Sequence, residues 1–304
     1  MVELETGHRG PTLPPAQGKL ELMESTLRVT QCIVLTAVLT ASLAAQTQQE
    51  KRFASGPKPT VSVINEYGPI TLHPGAGNQV VVRYVLHSDK VEVDATQSGD
   101  RIEVESHLLA GANSDIGQVE YEVLLPAGSN IMIHSNSGLL SAENLRGDIS
   151  VEGAATPVEL HSISDGHIHV KTLSGNITLL DIRQVHVVAT TGSGDISMRN
   201  VDGPLVEVSS NNGKIHYDGD FGDSGAYKLT SHTGDIDASI PANASVDVTA
   251  SSVKGQVDND FPLQPKAHSI TIPEKGRSFV GVAGRAASSV FLRTFSGKIR
   301  LKQR

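Results

Sequence analysis

The chain has 304 residues, a formal net charge of −8, 38% hydrophobic residues, 29 glycines and no tryptophan. Its charge is spread rather than clustered, which argues against nucleic acid, where a basic stripe is expected. The only cysteine, Cys32, falls in an N-terminal leader, so the rest of the chain has neither disulfide nor thiol chemistry, and export does not conflict with that.

Residues 1–22 carry Pro11, Pro14 and Pro15 without periodicity, and read as a disordered extension or a misassigned start. From Met23 a better-formed leader begins. Arg28 precedes an apolar run from Cys32 to Ala44 that closes on the small residues Ser42 and Ala44, the layout of a signal peptide over residues 23–44. The run is short for a membrane span, which takes about 20 apolar residues; an uncleaved anchor is the alternative. Thr30 and Gln31 before Cys32 do not make a lipoprotein box. The expected location is the periplasm, the cell surface or the medium, with no membrane span in the mature chain. Residues 45–59, rich in Gln, Ser, Gly and Pro, read as a flexible linker.

Strand patterns begin at Thr60. "TVSVINEYGPITL", "VVVRYVLHS", "KVEVDATQSGDRIEVESHLLA" and "VEYEVLLPAG" alternate strongly, and "QSGD" between two alternating runs signals a hairpin. Residues 60–130 are predicted to form an N-terminal β cap and a first coil, with Gly68 at the coil's corner.

Residues 131–304 repeat. Taking Gly138, Thr156, Gly175, Gly194, Gly213, Gly234, Gly255 and Gly297 as origins, the steps are 18, 19, 19, 19, 21, 21 and 42 residues, the last being twice 21. Two residues after each origin stands Leu140, Val158, Ile177, Ile196, Ile215, Ile236, Val257 or Ile299, apolar in every coil. Apolar pairs also recur seven and five residues before each origin, such as Val187 and Ala189, or Val206 and Val208. Two short strands per repeat with period-two alternation, in a period near 19, predict stacked β-coils. The predicted fold is all-β: a parallel β-solenoid (β-helix) of about 8 coils of 18–21 residues with an N-terminal β-meander cap. Glycines nine residues after the origin, Gly147, Gly203 and Gly222, with Asn243 standing in, suit corners that need positive φ. Residues 260–289 are read as a hairpin insertion where one coil is missing.

The phrases "VINEYGPITL", "VEYEVLLPAGSNIMIHSNSG", "SGDI" and "TGDI", "SIPANASVDVTAS", "DNDFPL" and "VFLRTFSGKIRL" resemble the bacterial putative-adhesin family of β-strand-repeat domains, a domain of unknown function, over about residues 60–304. The resemblance implies an exported, right-handed solenoid at the cell envelope. It supplies no catalytic residues.

Three constellations carry candidate chemistry. Three residues before the origin, hydroxyls stand in seven coils of eight; Thr172, Thr191, Ser210, Ser231 and Ser252 form either a ladder that orders the corner or a row that reads sugar hydroxyls. His167 and His186 occupy equivalent positions on adjacent coils, about 5 Å apart at the strand spacing, with His161 and His169 nearby. They are either outward polar residues or part of a metal site needing three or four converging ligands. Asp235, Asp237 and Asp258, with Asp218, Asp260 and His216, fall on the outer face of successive coils and are candidate calcium ligands. Parallel β-helix enzymes that cleave acidic polysaccharides mount carboxylates and calcium on such a face, although no paired Arg and Lys near these aspartates offer a base for β-elimination. A ladder of mixed charge, with Lys214 between Asp195 and Asp235, is the plainer account. The basic tail Lys298, Arg300, Lys302 and Arg304 alternates with Ile299 and Leu301 and reads as the outer side of a strand.

No cofactor is implied. The leading expectation is a non-enzymatic, adhesin-like protein that binds a surface glycan or envelope protein, or scaffolds the envelope. A polysaccharide lyase or hydrolase at the aspartate patch, and an envelope-stress signalling component, are the alternatives. Oligomeric state and ligand are not encoded in the pattern.

Overall fold

A computed structural model describes residues 47–266 and 275–304; the extension and leader expected at 1–44 lie outside the described residues. Every regular element among the described residues is a β-strand. The strands form two sheets of thirteen, and each coil contributes one strand to each sheet.

Register follows the repeat. His167 pairs with His186 and Ile177 with Ile196, so that residues 19 apart sit side by side in parallel strands. A shift of one residue would turn every inward side chain outward, so the alternation fixes the register. The apolar columns read from the sequence are buried, from Ile131 and Ile133 through Val187, Ala189, Ile196 and Met198 to Val290 and Leu301. A further inward column, seven residues after the origin, holds Leu145, Ile163, Ile182 and Val201. It closes the second corner, and its constant offset was a signal available in the sequence.

The origin glycines stack, and from Gly175 onward the reason is close approach rather than φ, whereas Gly68 and Gly138 also have positive φ. A Cβ on Gly194 would stand 1.9 Å from the carbonyl oxygen of Gly175, and one on Gly213 would stand 1.8 Å from that of Gly194. Of the second set, Gly147 and Gly222 have positive φ as expected. Gly203 does not need it; it is small because the Val185 carbonyl would lie 2.0 Å from its Cβ. In the coil whose origin is Thr156, glycine has moved to position 153, where its missing side chain makes room for the Thr156 hydroxyl.

Stacking order departs from chain order at both ends. The Gly297 coil does not lie beyond the Gly255 coil: Ser288–Thr294 pairs in parallel with both Ala226–Ser231 and Val246–Ser252, and Ile299–Gln303 with both Ile236–Ile240 and Val257–Asn259. The last coil in sequence is therefore inserted between the two coils that precede it. At the other end Arg101–Leu108 and Val119–Leu125 stack outside the Gly68 coil, Thr60–Tyr67 and Ile70–Pro74.

Both outermost coils are covered by antiparallel strands. Val91–Ser98 forms the expected hairpin with Arg101–Leu108, and Gln79–Leu86 pairs with Val119–Leu125. At the far end Ser278–Ala283 runs antiparallel to Val246–Ser252. This ends the parallel ladders without leaving a parallel edge open to another chain. Thr47–Ala54, expected within the flexible linker, is a strand that pairs along Gln79–Leu86. Its polar composition hid it: at an exposed sheet edge, backbone pairing and contacts such as Tyr84 to Gln49 at 2.7 Å and Arg83 to Glu50 at 2.8 Å replace an apolar face.

Candidate functional site

The hydroxyl row faces inward. Thr172, Thr191, Ser210, Ser231 and Ser252 are buried. Each accepts the amide N–H of its own origin glycine, at 2.8–3.0 Å from Gly175, Gly194, Gly213, Gly234 and Gly255. Each also donates to a carbonyl of the neighbouring coil: Thr191 to Gly175 at 3.0 Å, Ser210 to Gly194 at 2.9 Å, Ser252 to Gly297 at 2.8 Å. A hydroxyl carries one proton, and here it is committed to the backbone. The row orders the corners and does not present hydroxyls to a sugar.

The aspartate patch is occupied by the inserted coil. Asp237 receives both oxygens' bonds from Arg300 Nη1, at 2.8 and 3.0 Å, and Asp235 Oδ2 receives Arg300 Nη2 at 3.1 Å. Asp235 Oδ1 accepts the backbone N–H of Lys298 at 2.8 Å. Lys298 Nζ stands 2.5 Å from Asp258 Oδ2, and Arg304 bonds Asp218 at 2.8 Å. The hydrogen bond that Arg300 donates to Asp237 foremost holds its guanidinium above the ordinary pKa. Arg and Lys thus do stand beside these aspartates, contrary to the sequence-based expectation, because the C-terminal coil slots a basic strand between two acidic ones. Of the calcium candidates Asp235, Asp237 and Asp258, only Asp258 Oδ1 is left without a hydrogen-bond partner, where calcium takes six to eight oxygens. The patch is an electrostatic seam of the fold.

His167 and His186 are neighbours as predicted, with ring centroids 5.0 Å apart at 90°. His167 Nδ1 lies 2.9 Å from Asp148 Oδ1. His161 is on the opposite sheet, so these histidines do not converge. Among the described residues no group of three or more metal-ligating side chains forms a metal site.

What the sequence did not reveal is an open groove of about 580 Å³ along the first corner. It runs along the column two residues before the origin. In stacking order this column reads Leu173, Gly192, Asn211, His232, Phe295 and Val253, the last two exchanged relative to chain order by the inserted coil. Leu173, Val253 and Phe295 are 66%, 44% and 36% exposed, three of the large hydrophobic side chains the described surface leaves open. Gly192 has no side chain because a Cβ would stand 2.5 Å from the Leu173 carbonyl oxygen. At Gly192 the gap between Leu173 and His232 is therefore imposed by the stacking; its other position is held by the exposed Asn211. The His232 ring lies flat on Phe295, centroids 4.8 Å apart and planes 2° from parallel, and Lys254 Nζ sits 4.8 Å from the Phe295 centroid. Lys171 and Arg293 flank the groove; no acidic side chain lines it. The available signal was a column of apolar and aromatic residues at a turn, where polar residues are expected.

Comparison with known proteins bears on the fold. A crystal structure of a putative adhesin from Bacteroides fragilis aligns over 84% of this chain and 98% of its own, at 11% identity and a TM-score of 0.51. A putative cell adhesion protein from Clostridium sporogenes aligns over 85% and 100% at 13% identity, with a TM-score of 0.29. No curated protein matches the chain. The family model Toastrack DUF4097 matches residues 61–302, from the strand that carries "VINEYG" to the last inserted strand. The chain belongs to the Toastrack DUF4097 family.

Proposed function

We propose that this protein is an exported, non-enzymatic, adhesin-like β-solenoid that binds or scaffolds at the bacterial cell envelope. The observation that supports the reading is the groove: exposed apolar side chains and the cations Lys171 and Arg293 along an otherwise polar, regularly repeating surface. Coil stacks recognise ligands through such extended faces. The alternative of a polysaccharide lyase or hydrolase at Asp235, Asp237 and Asp258 loses its motive, because those carboxylates are engaged by Arg300 and Lys298. The adhesin names of the structural neighbours are consistent with an envelope role for this chain, with a surface glycan or an envelope protein as partner.

Cell fractionation combined with cosedimentation of the purified full chain on isolated envelopes tests this. The protein is expected in the envelope or secreted fraction, and to sediment with envelopes. Retention in the cytoplasm without cosedimentation refutes the reading. Release of unsaturated uronate ends from polyuronates would restore the lyase.

A further inference from the structure

We propose that the corner groove is a binding site for an acidic, carboxylate-bearing polysaccharide, seated in the notch between Leu173 and His232. The inference rests on the envelope-binding reading and adds the site and the ligand class.

Four observations carry it. The first is shape. Leu173 and His232 are separated by the corners of Gly192 and Asn211, three strand spacings in all, or about 14 Å. Gly192 is low by steric necessity and Asn211 carries a short, exposed side chain, so the notch has two walls and a floor of one glycine and one asparagine. The second is the character of the walls. Leu173 is apolar and exposed, and the imidazole face of His232 that does not lie on Phe295 looks along the stack towards Asn211. Flat rings and aliphatic side chains match the C–H faces of pyranoses, and the Phe295 and Lys254 backing holds the imidazole in place.

The third is hydrogen-bonding capacity beside the notch. Thr190, Ser209 and Thr230 point outward from neighbouring strands, unlike the inward hydroxyls one position further on. Ser209 Oγ donates to Thr190 Oγ1 at 3.3 Å, which leaves hydroxyl lone pairs and the Thr190 proton for a ligand. The fourth is charge. The chain carries a net charge of −8, yet the groove is lined by Lys171 and Arg293 and by no carboxylate. Neither cation stands within salt-bridge distance of a carboxylate among the described residues; Glu152, the register neighbour of Lys171, lies on the strand outside the notch. Lys171 and Arg293 lie on strands four spacings apart, about 19 Å, one at each end of the notch. Two cations bracketing a neutral, hydroxyl-lined centre suit a chain of sugars with spaced carboxylates. A polyphosphate backbone would call for a continuous basic track.

The test is calorimetric titration of the full chain with oligogalacturonate, with a neutral maltooligosaccharide and with oligoglutamate, at low and high salt. Variants are Lys171→Gln/Arg293→Gln, Thr190→Glu and Asn211→Trp, all on exposed side chains, each checked for an unchanged melting temperature. Oligogalacturonate is expected to bind, more weakly as salt rises. The double cation variant should weaken it about tenfold, Thr190→Glu by at least as much, and Asn211→Trp, which fills the notch, should abolish it. Equal binding of the neutral sugar overturns the charge argument, and equal binding of oligoglutamate overturns the sugar. Binding that survives both Thr190→Glu and Asn211→Trp places the site elsewhere and overturns the proposal. Absence of binding to all three probes, with cosedimentation on envelopes intact, overturns it while leaving the envelope reading standing; loss of both removes the two together.

Discussion

Replacing Thr191 by valine removes one hydroxyl from the inward ladder while keeping the side chain's shape. Two backbone groups then lose their partner at once: the Gly194 N–H, 3.0 Å from Thr191 Oγ1, and the Gly175 carbonyl, also at 3.0 Å. Both lie at a buried corner, and an unpaired buried polar group costs about 1–3 kcal/mol. Thr191→Val is therefore expected to destabilise the protein by about 2–4 kcal/mol. Thr190→Val, one residue away on the outward side, should stay within about 0.5 kcal/mol of the parent. Urea unfolding followed by far-ultraviolet circular dichroism measures both. A Thr191→Val/Ser210→Ala cycle adds a sharper check, because Thr191 takes the N–H of Gly194 and Ser210 bonds its carbonyl. Groups sharing one residue couple by about 0.5–3 kcal/mol. Equal midpoints for Thr191→Val and the parent, or equal losses at positions 190 and 191, would refute the inward ladder.

Arg300→Gln removes the bonds to Asp237 and Asp235 and leaves two neighbouring carboxylates unneutralised; with all three groups about a third exposed, the loss should be about 1–2 kcal/mol, partly recovered by Asp237→Asn, as read from thermal melts. Gly194→Ala would place a methyl 1.9 Å from the Gly175 oxygen and should cost about 3 kcal/mol or more, visible as a drop in soluble yield and melting temperature. Burial raises the phenols of Tyr217 and Tyr227, the latter to about 12 from 10.0. Above pH 10 the unfolded chain loses these protons and the folded chain keeps them, so this stability is present below pH 10 and is lost as pH rises towards 12. The decline should be about 1.4 kcal/mol per pH unit for each tyrosine, and Tyr227→Phe should flatten it in unfolding titrations.

The sequence displayed whatever the stacking repeats. An inward position such as that of Ile177, Ile196 and Ile215 recurs because each side chain lies against its counterpart in the next coil, so periodicity and burial are one fact. The ladder was visible as a column, but a threonine's direction is not written in its own identity; it follows from whether Thr191 falls in phase with Val187 and Ala189, which it does. Insertion of the last coil was harder, since a 42-residue step fits equally a gap and a reversal. The charge columns held the missing clue: Lys298 and Arg300 share the offsets of Asp235, Asp237 and Asp258, as Lys214 does on the other side of Asp235, and a parallel neighbour with opposite charge is favoured. The groove was least legible. Its depth depends on Gly192 standing between Leu173 and Asn211, a relation between coils and not within one.

That relation also ties the groove to the order of stacking. Arg293 and Phe295 belong to the C-terminal coil, yet they stand next to Thr230 and His232 because that coil enters between the Gly234 and Gly255 coils. Were the coils stacked in chain order, Val253 would follow His232 directly, and the imidazole would lose the ring it lies on. The acidic patch and the groove are consequently joined through one element: Arg300 and Lys298 fasten the inserted coil on one sheet, while Arg293 and Phe295 from the same coil complete the notch at the corner. Deleting residues 288–304 should thus remove hydrogen-exchange protection from the amides of 246–259 and leave 167–213 protected, since only the former loses a neighbour it pairs with. Acidic-glycan binding should vanish in the same truncation although Leu173, Gly192 and Asn211 remain in place; protection lost equally throughout the stack would contradict the coil-by-coil account.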